Sequence, residues 1–293
     1  MPLLNTLRFI LEHPLNQGHR IAALRRFAAW QVGSRLVSGP IAAEFVDGLS
    51  LLVSPGQTGA TGNVYAGLHE VAEMAFVLHL LRKGDLFADI GANIGSYTIL
   101  ACAAGARCIS FEPGPAADSL AANVRFNNLS SRVDVRRSAV GSTTGEVRFT
   151  PDEDTLNHVA TSADSSKAIV VPLTTLDAAL DGRIPALIKI DVEGFEKEVL
   201  DGAQRTLEDS SLLAVIVETN GSGARYGSSD AELHQRLTAA GLSPATYEPF
   251  SRALDQTQSV NAGGNTIYVR GLETVRDRVR TAGRFRLSLG REI

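Results

Sequence analysis

The spacing of apolar residues changes along this chain, and each change marks an expected element. Residues 1–38 read as helical and partly amphipathic, with Leu24, Phe27, Trp30 and Val32 set among Arg20, Arg25, Arg26 and Arg35. Phe45, Leu49, Leu51 and Val53 flank Asp47-Gly48, a turn pair that predicts a β-hairpin over 40–54. The stretch "SPGQTGATGN", 54–63, shows no period and reads as a loop, either a lid or a plain connection. Its glycines do not lead into Gly-Lys-Ser/Thr, so it is not a P-loop. Helical spacing returns through Val71, Met74, Ala75, Leu78 and Leu81, with Gly84 as the stop.

Beyond residue 84 short apolar runs alternate with helical stretches. "LFADIG" reads as a buried strand, Gly95 to Ala104 as a helix, and "ARCISFEP" as a second strand. A helix from Pro115 to Asn127 and a third strand, "VDVRRSAVG", follow. "GEVRFTPD" and "AIVVPL" read as an inserted antiparallel pair, and "LTTLDAAL" as a short helix capped by Thr174 or Thr175. The strand "ALIKIDVEG", the amphipathic helix "FEKEVLDGAQRTL", the strand "LLAVIVETN", a helix over 230–240 and a last strand, "NTIYVR", complete the pattern. The basic segment "RDRVRTAGRFRLSLGREI" reads as a peripheral tail. Buried strands separated by helices predict an α/β fold, a mostly parallel sheet with helices on both faces. The expected division is a helical and hairpin segment at 1–83 with lid-like character, a main domain at 84–272, and the tail at 273–293.

Composition narrows the function. A net charge of −4 supplies no basic field, so a nucleic-acid substrate is disfavoured. Cys102 and Cys108 are the only cysteines, too few for a zinc knuckle or a disulfide framework, and they fit a reduced, cytoplasmic setting. The first twenty residues carry Arg8, Glu12 and His13 and lack signal-peptide layout, and no window is long and apolar enough for a membrane span. The arginine-bearing N-terminal arm suits a packing or homo-oligomer contact, or a surface helix in peripheral contact with anionic lipid.

The candidate chemistry lies at the carboxyl ends of the strands, where doubly wound sheets bind ligands. "DIGANIG" has Gly91 and Gly95 around Ala-Asn-Ile, and so lacks one glycine of the dinucleotide fingerprint. Glu112 follows 21 residues after Gly91 and suits two ribose hydroxyls. Ser138, after the third strand, stands where an adenine edge would be received. Lys189, Asp191 and Glu193 bring charge to the mouth of a buried strand, with Glu218 on the neighbouring rim, and buried charge is costly unless paired or used.

Taken together, "FADIGANIGSYT", "SFEPGPAADSLAANVRFNN" and "TTLDAAL…LIKIDVEGFEKEVLDGA" resemble the FkbM-type S-adenosylmethionine-dependent methyltransferases. The resemblance implies a Rossmann-like class I methyltransferase fold: a seven-stranded sheet whose last strand is antiparallel between its neighbours, here with an N-terminal helical and β extension. It implies O-methylation of a hydroxyl on a sugar, glycan or glycolipid, as in polysaccharide biosynthesis. Asp89, Gly91, Asn93 and Gly95 would then surround the methionine part of the cofactor, Glu112 the ribose, and Asp191 the transfer centre. Tyr65, His69 and Glu70 would reach over the cofactor from a lid. A hydroxyl acceptor makes a proton acceptor useful, and Asp191, Glu193 and His158 are the candidates. Asp191, Glu193 and Glu218 are alternatively oxygen ligands for Mg²⁺. Two rival functions remain: a nicotinamide-dependent oxidoreductase, and a catalytically inactive scaffold that binds the cofactor.

Overall fold

The structure, a computed structural model, describes residues 3–151, 157–161, 168–261, 263–288 and 290–293. Positions 1, 2, 152 and 289 of the expected elements lie outside them. In chain order the elements are α1 (Leu3–Glu12), α2 (Arg20–Leu36), β1 (Ile41–Val46), β2 (Leu49–Val53), α3 (Thr58–Ala66) and α4 (Val71–Leu80). Then come β3 (Leu86–Ile90), α5 (Ser96–Ala103), β4 (Arg107–Phe111), α6 (Ala116–Phe126), β5 (Val133–Arg136), β6 (Ala139–Val140), β7 (Gly145–Phe149) and β8 (Ile169–Thr174). After these follow α7 (Leu176–Leu180), β9 (Leu187–Ile190), α8 (Glu196–Asp201), α9 (Gln204–Glu208), β10 (Ala214–Thr219) and α10 (Asp230–Ala239). The chain closes with β11 (Ser243–Glu248), β12 (Ala253–Gln256), β13 (Gly264–Val269), α11 (Leu272–Thr281), β14 (Arg286–Leu287) and β15 (Arg291–Glu292).

The main sheet has the order β12-β11-β13-β10-β9-β3-β4-β5. The strands from β10 to β5 run parallel, while β13 is antiparallel to both β10 and β11. This is the expected seven-stranded arrangement, with β12 added as an eighth strand at one edge. Period-2 alternation sends Phe87, Leu187 and Ile216 into one core layer and Ala88, Ile188 and Val217 into the other. The register sets Asp89 beside Lys189, and Glu218 opposite Asn265. Those polar residues therefore share the face covered by α4 and α5.

The sequence reading contained neither β11 nor β12, and four further elements differ from it, each for a reason of packing. The stretch expected as a loop over 54–63 runs into α3, because Tyr65 packs edge-on against Phe27 of α2 and Gly62 leaves room for the His69 ring. The third strand divides into β5, in the main sheet, and β6, in a three-stranded sheet with β7 and β8. The helix expected over 195–207 breaks at Gly202, where an added Cβ would lie 2.0 Å from the Gly141 carbonyl oxygen. The basic tail is not peripheral: α11 crosses the expected boundary at 272/273, and β14 pairs with β1, burying Leu287 and Ile293. The hairpin stands as expected, with Asp47 (φ +47°) and Gly48 (φ +80°) at its turn. So does the antiparallel β7–β8 pair, and Thr175, rather than Thr174, caps α7 by accepting from the Ala178 N–H at 3.1 Å.

Burial keeps one helix carboxyl protonated. Glu73 of α4 is held up to about 7, first by burial and then, in smaller part, by Glu70. Folding thus retains a proton that the unfolded chain releases above about pH 4.5, and this contribution to stability is present at low pH and lost as pH rises through 7. Glu73→Gln is expected to match the wild type near pH 4 and to melt higher above pH 7, a difference that grows by on the order of 1 kcal/mol per pH unit between about 4.5 and 7. Parallel melting curves at all pH values would contradict it.

Candidate active site

A cavity of about 330 Å³ opens at the carboxyl ends of β3, β4, β9 and β10. The turn after β3 forms its floor. Gly91 and Ala92 donate to the Phe111 carbonyl at 3.0 and 2.9 Å, which ties this turn to the end of β4. Gly91 has φ +80°, and a Cβ there would come within 1.8 Å of the Asp191 carbonyl oxygen. The glycine therefore lets the turns after β3 and β9 touch. Asn93 also takes a left-handed conformation, and Gly95 (φ +92°) starts α5.

Buried acids line the floor. Asp89 accepts the Thr98 hydroxyl at 2.6 Å and is raised to about 6, because burial outweighs the nearby Lys189 charge. Glu112 accepts from the Asn93 N–H and the Gly114 N–H, both at 2.9 Å, so one carboxylate braces the β3 and β4 turns. Burial raises its pKa, against the pull of those two hydrogen bonds. Ser138, in the gap between β5 and β6, lies at the same wall.

The opposite wall is charged. Lys189, with its side chain 3% exposed, donates to Asp191 Oδ2 at 2.6 Å, and its ammonium sits 4.6 Å from the centre of the Tyr97 ring. Burial alone would lower its pKa, but the carboxylates of Asp191, Glu70 and Asp89 outweigh that and hold it above its ordinary value. Glu70 accepts from the Tyr97 hydroxyl at 2.6 Å and from Asn265 Nδ2 at 2.7 Å. One carboxylate oxygen each from Asp191, Glu193 and Glu218 fall within 4.8 Å of one another. Burial, then the neighbouring Asp191, raises Glu193 to about 7 and Glu218 to about 9. Among the described residues Glu218 Oε2 is buried with no hydrogen-bond partner.

Most of the expected site residues thus meet here: Glu70, Asp89, Gly91, Asn93, Glu112, Ser138, Asp191, Glu193 and Glu218 all line the cavity. Gly95 shapes the turn without lining it. Two residues stand elsewhere. Tyr65 is buried between α2 and α3, where its hydroxyl accepts from Gln31 Nε2 at 3.0 Å and its ring packs on Phe27, so it does not reach over the cavity. His158 is buried beside Thr150, its N–H donating to Thr150 Oγ1 at 2.9 Å, and it is the flanking Asn157 and Val159 that line the cavity.

The sequence reading missed other members. Glu196 is buried and accepts from Val192 N–H and Gly194 N–H at 3.2 and 3.0 Å, holding the turn that carries Glu193. An acid in the first turn of a helix was its signal. Asn63 of α3 accepts the His69 N–H at 2.8 Å and donates to Ser96 Oγ at 3.3 Å, closing the wall beside α5. Tyr97 and Asn265 had no local signal, since their role comes from α5 and β13 meeting Glu70 on one face of the sheet.

The profile of the family described as "Methyltransferase FkbM domain" matches residues 89–243, more than half of the chain. A curated relative, the hexuronic acid methyltransferase AglP of Haloferax volcanii, is 26% identical over 202 residues, covering 68% of this chain and 81% of its own length. Among solved structures, a methyltransferase FkbM from Methylobacillus flagellatus KT aligns with a TM-score of 0.45 at 15% identity, over 85% of this chain and 60% of that one. A methyltransferase from Streptococcus mutans in complex with S-adenosylhomocysteine aligns with a TM-score of 0.41 at 9% identity, over 67% and 94% of the two chains. The matched segment begins on Asp89 and takes in the glycine turn, Glu112 and the Asp191 strand end, and by it the chain belongs to the FkbM family and is an S-adenosylmethionine-dependent methyltransferase.

Proposed function

We propose that this cavity binds S-adenosylmethionine and that the chain methylates a hydroxyl of a sugar, glycan or glycosylated small molecule. The observation that carries the reading is the convergence of the glycine turn, Glu112 and Asp191 on one cavity. The activity of the AglP relative on a hexuronic acid supports the acceptor class. In this reading Asp89, Gly91, Asn93 and Gly95 form the turn around the methionine part, with Glu70 beside it. Glu112 accepts the ribose hydroxyls through lone pairs that Asn93 and Gly114 leave open, and Ser138 meets the adenine.

The bound cofactor supplies a methyl group already activated on a sulfonium. What remains for the protein is to align the acceptor oxygen, keep out water and take up the hydroxyl proton. Asp191 suits the last task, because its side chain is 32% exposed at the cavity wall and Lys189 fixes one of its oxygens. Glu193 lies on the same turn and shares the task of holding the acceptor. His158, away from the cavity lining, takes no part.

The ribose assignment has a direct test. Glu112→Ala removes two charged acceptors from the ligand, so S-adenosylhomocysteine is expected to bind about 100-fold more weakly by calorimetry. Unchanged affinity would remove Glu112 from the ribose. Binding in the wild type without methyl transfer to any of a panel of sugars would favour the scaffold reading.

One observation favours a second role for the acidic wall. Glu218 Oε2 lacks a partner among the described residues, and the three clustered carboxylates are the hard oxygen donors that suit Mg²⁺. Asp191, Glu193 and Glu218 would hold the ion, which would supply positive charge for orienting a vicinal diol. In that case EDTA is expected to slow transfer, Mg²⁺ to restore it and to raise the melting temperature, and Glu218→Gln to abolish the Mg²⁺-dependent shift. Transfer and melting that ignore both EDTA and Mg²⁺ would leave the carboxylates to acceptor binding alone.

A further inference from the structure

We infer that the outward face of α2 seats the protein on the surface of an anionic lipid bilayer. An ordinary surface helix buries one apolar stripe and shows water a polar face. The inward stripe of α2 is the usual one: Ala23, Trp30 and Ser34 are buried, and Phe27 packs on Tyr65. Arg26 also turns inward, where it donates to Asn16 Oδ1 at 2.7 Å and to the Tyr65 carbonyl at 2.9 Å.

The outward stripe is not the usual one. Ile21, Arg25, Ala28, Val32, Arg35 and Leu36 recur at helical spacing, and all are exposed. Ile21 is 71%, Val32 60% and Leu36 79% exposed. Nothing polar but arginine interrupts them, and α2 holds no acidic residue in a chain whose net charge is −4. At the start of α1, Leu3 and Leu4 are exposed as well. Apolar side chains with arginines between them match the boundary of a bilayer, where the side chains enter the headgroup region and the arginines meet lipid phosphates.

The charge pattern selects the occupant. Two copies of this face would set arginine against arginine with no carboxylate to offset them, whereas an anionic leaflet supplies the missing charge. The contact is superficial, since no helix among the described residues is long and apolar enough to cross a membrane. It stands apart from the proposed catalysis, because no residue of α2 lines the cavity.

Flotation of the full chain with phosphatidylcholine vesicles, with and without phosphatidylglycerol, tests the inference. Binding is expected only with phosphatidylglycerol, and is expected to weaken as salt rises. Reversing the charge of both arginines, Arg25→Glu with Arg35→Glu, is expected to weaken it at least about 25-fold, roughly fivefold for each charge removed. Val32→Ser with Leu36→Ser is expected to weaken it as well. Both variants should keep the wild-type melting temperature and affinity for S-adenosylhomocysteine, which separates loss of docking from loss of fold. Absence of binding to either vesicle, equal binding to both, or unchanged binding of the arginine variant would overturn the inference. So would self-association without vesicles that the same variants abolish.

Discussion

Gly91→Ala is expected to eliminate binding of S-adenosylhomocysteine and to lower stability by more than about 3 kcal/mol. Two effects add. The first is conformational: at φ +80° a Cβ strains the backbone by roughly 1 kcal/mol. The second is larger, because the new Cβ would lie 1.8 Å from the Asp191 carbonyl oxygen. That neighbour is backbone at the end of a buried strand and cannot rotate away. Relief requires parting the turns after β3 and β9, which carry the residues proposed for the cofactor and for the transfer centre respectively. Gly18→Ala is the control, with φ +78° and nothing within 4 Å of the added atom. It should show the conformational part alone, about 1 kcal/mol. Equal destabilisation of the two variants in thermal melts would show that close approach is not what demands glycine at 91.

Asp191→Asn is expected to leave affinity for S-adenosylhomocysteine within a few fold and to reduce methyl transfer by about 10²- to 10⁴-fold. The asparagine keeps the shape and still offers an oxygen to Lys189, whose ammonium retains Glu70 and Asp89 nearby, so the wall should stand. What it loses is the capacity to accept a proton from the acceptor hydroxyl. Transfer of a labelled methyl group to a sugar acceptor, read beside the binding titration, separates the two effects. Near-normal turnover would take Asp191 out of the chemistry, and lost binding would make it a cofactor residue instead.

The parallel strands were legible because each carries a local signal, whereas their order with the antiparallel last strand came from the family resemblance, and β11 and β12 had no counterpart in the sequence reading. Apolar runs such as "LFADI" and "LIKI" are buried on both faces, and the helices between them fix a parallel sheet. The floor of the site was legible for a related reason: Asp89, Gly91, Glu112 and Asp191 each end a strand, and parallel strands bring their ends to one edge. What local pattern could not show was which side chains meet from distant segments. Glycines at 59 and 62 argue for a loop, yet α3 forms because Phe27, some forty residues upstream, gives Tyr65 a place to pack. That same contact removes Tyr65 from the cavity. His158 looked like a loop base, but the β-bridge between Phe149 and Val159 carries it into the interior beside Thr150. Glu196 went unremarked within an amphipathic helix, and only the turn beneath it shows that two backbone N–H groups depend on it.

Calorimetric titration of the purified chain with S-adenosylhomocysteine, run beside NADH, tests the central claim most directly. Micromolar binding of S-adenosylhomocysteine with no binding of NADH is the predicted result. Binding of NADH, or of neither ligand by protein that melts cooperatively, would contradict the assignment of this cavity to the methyl donor.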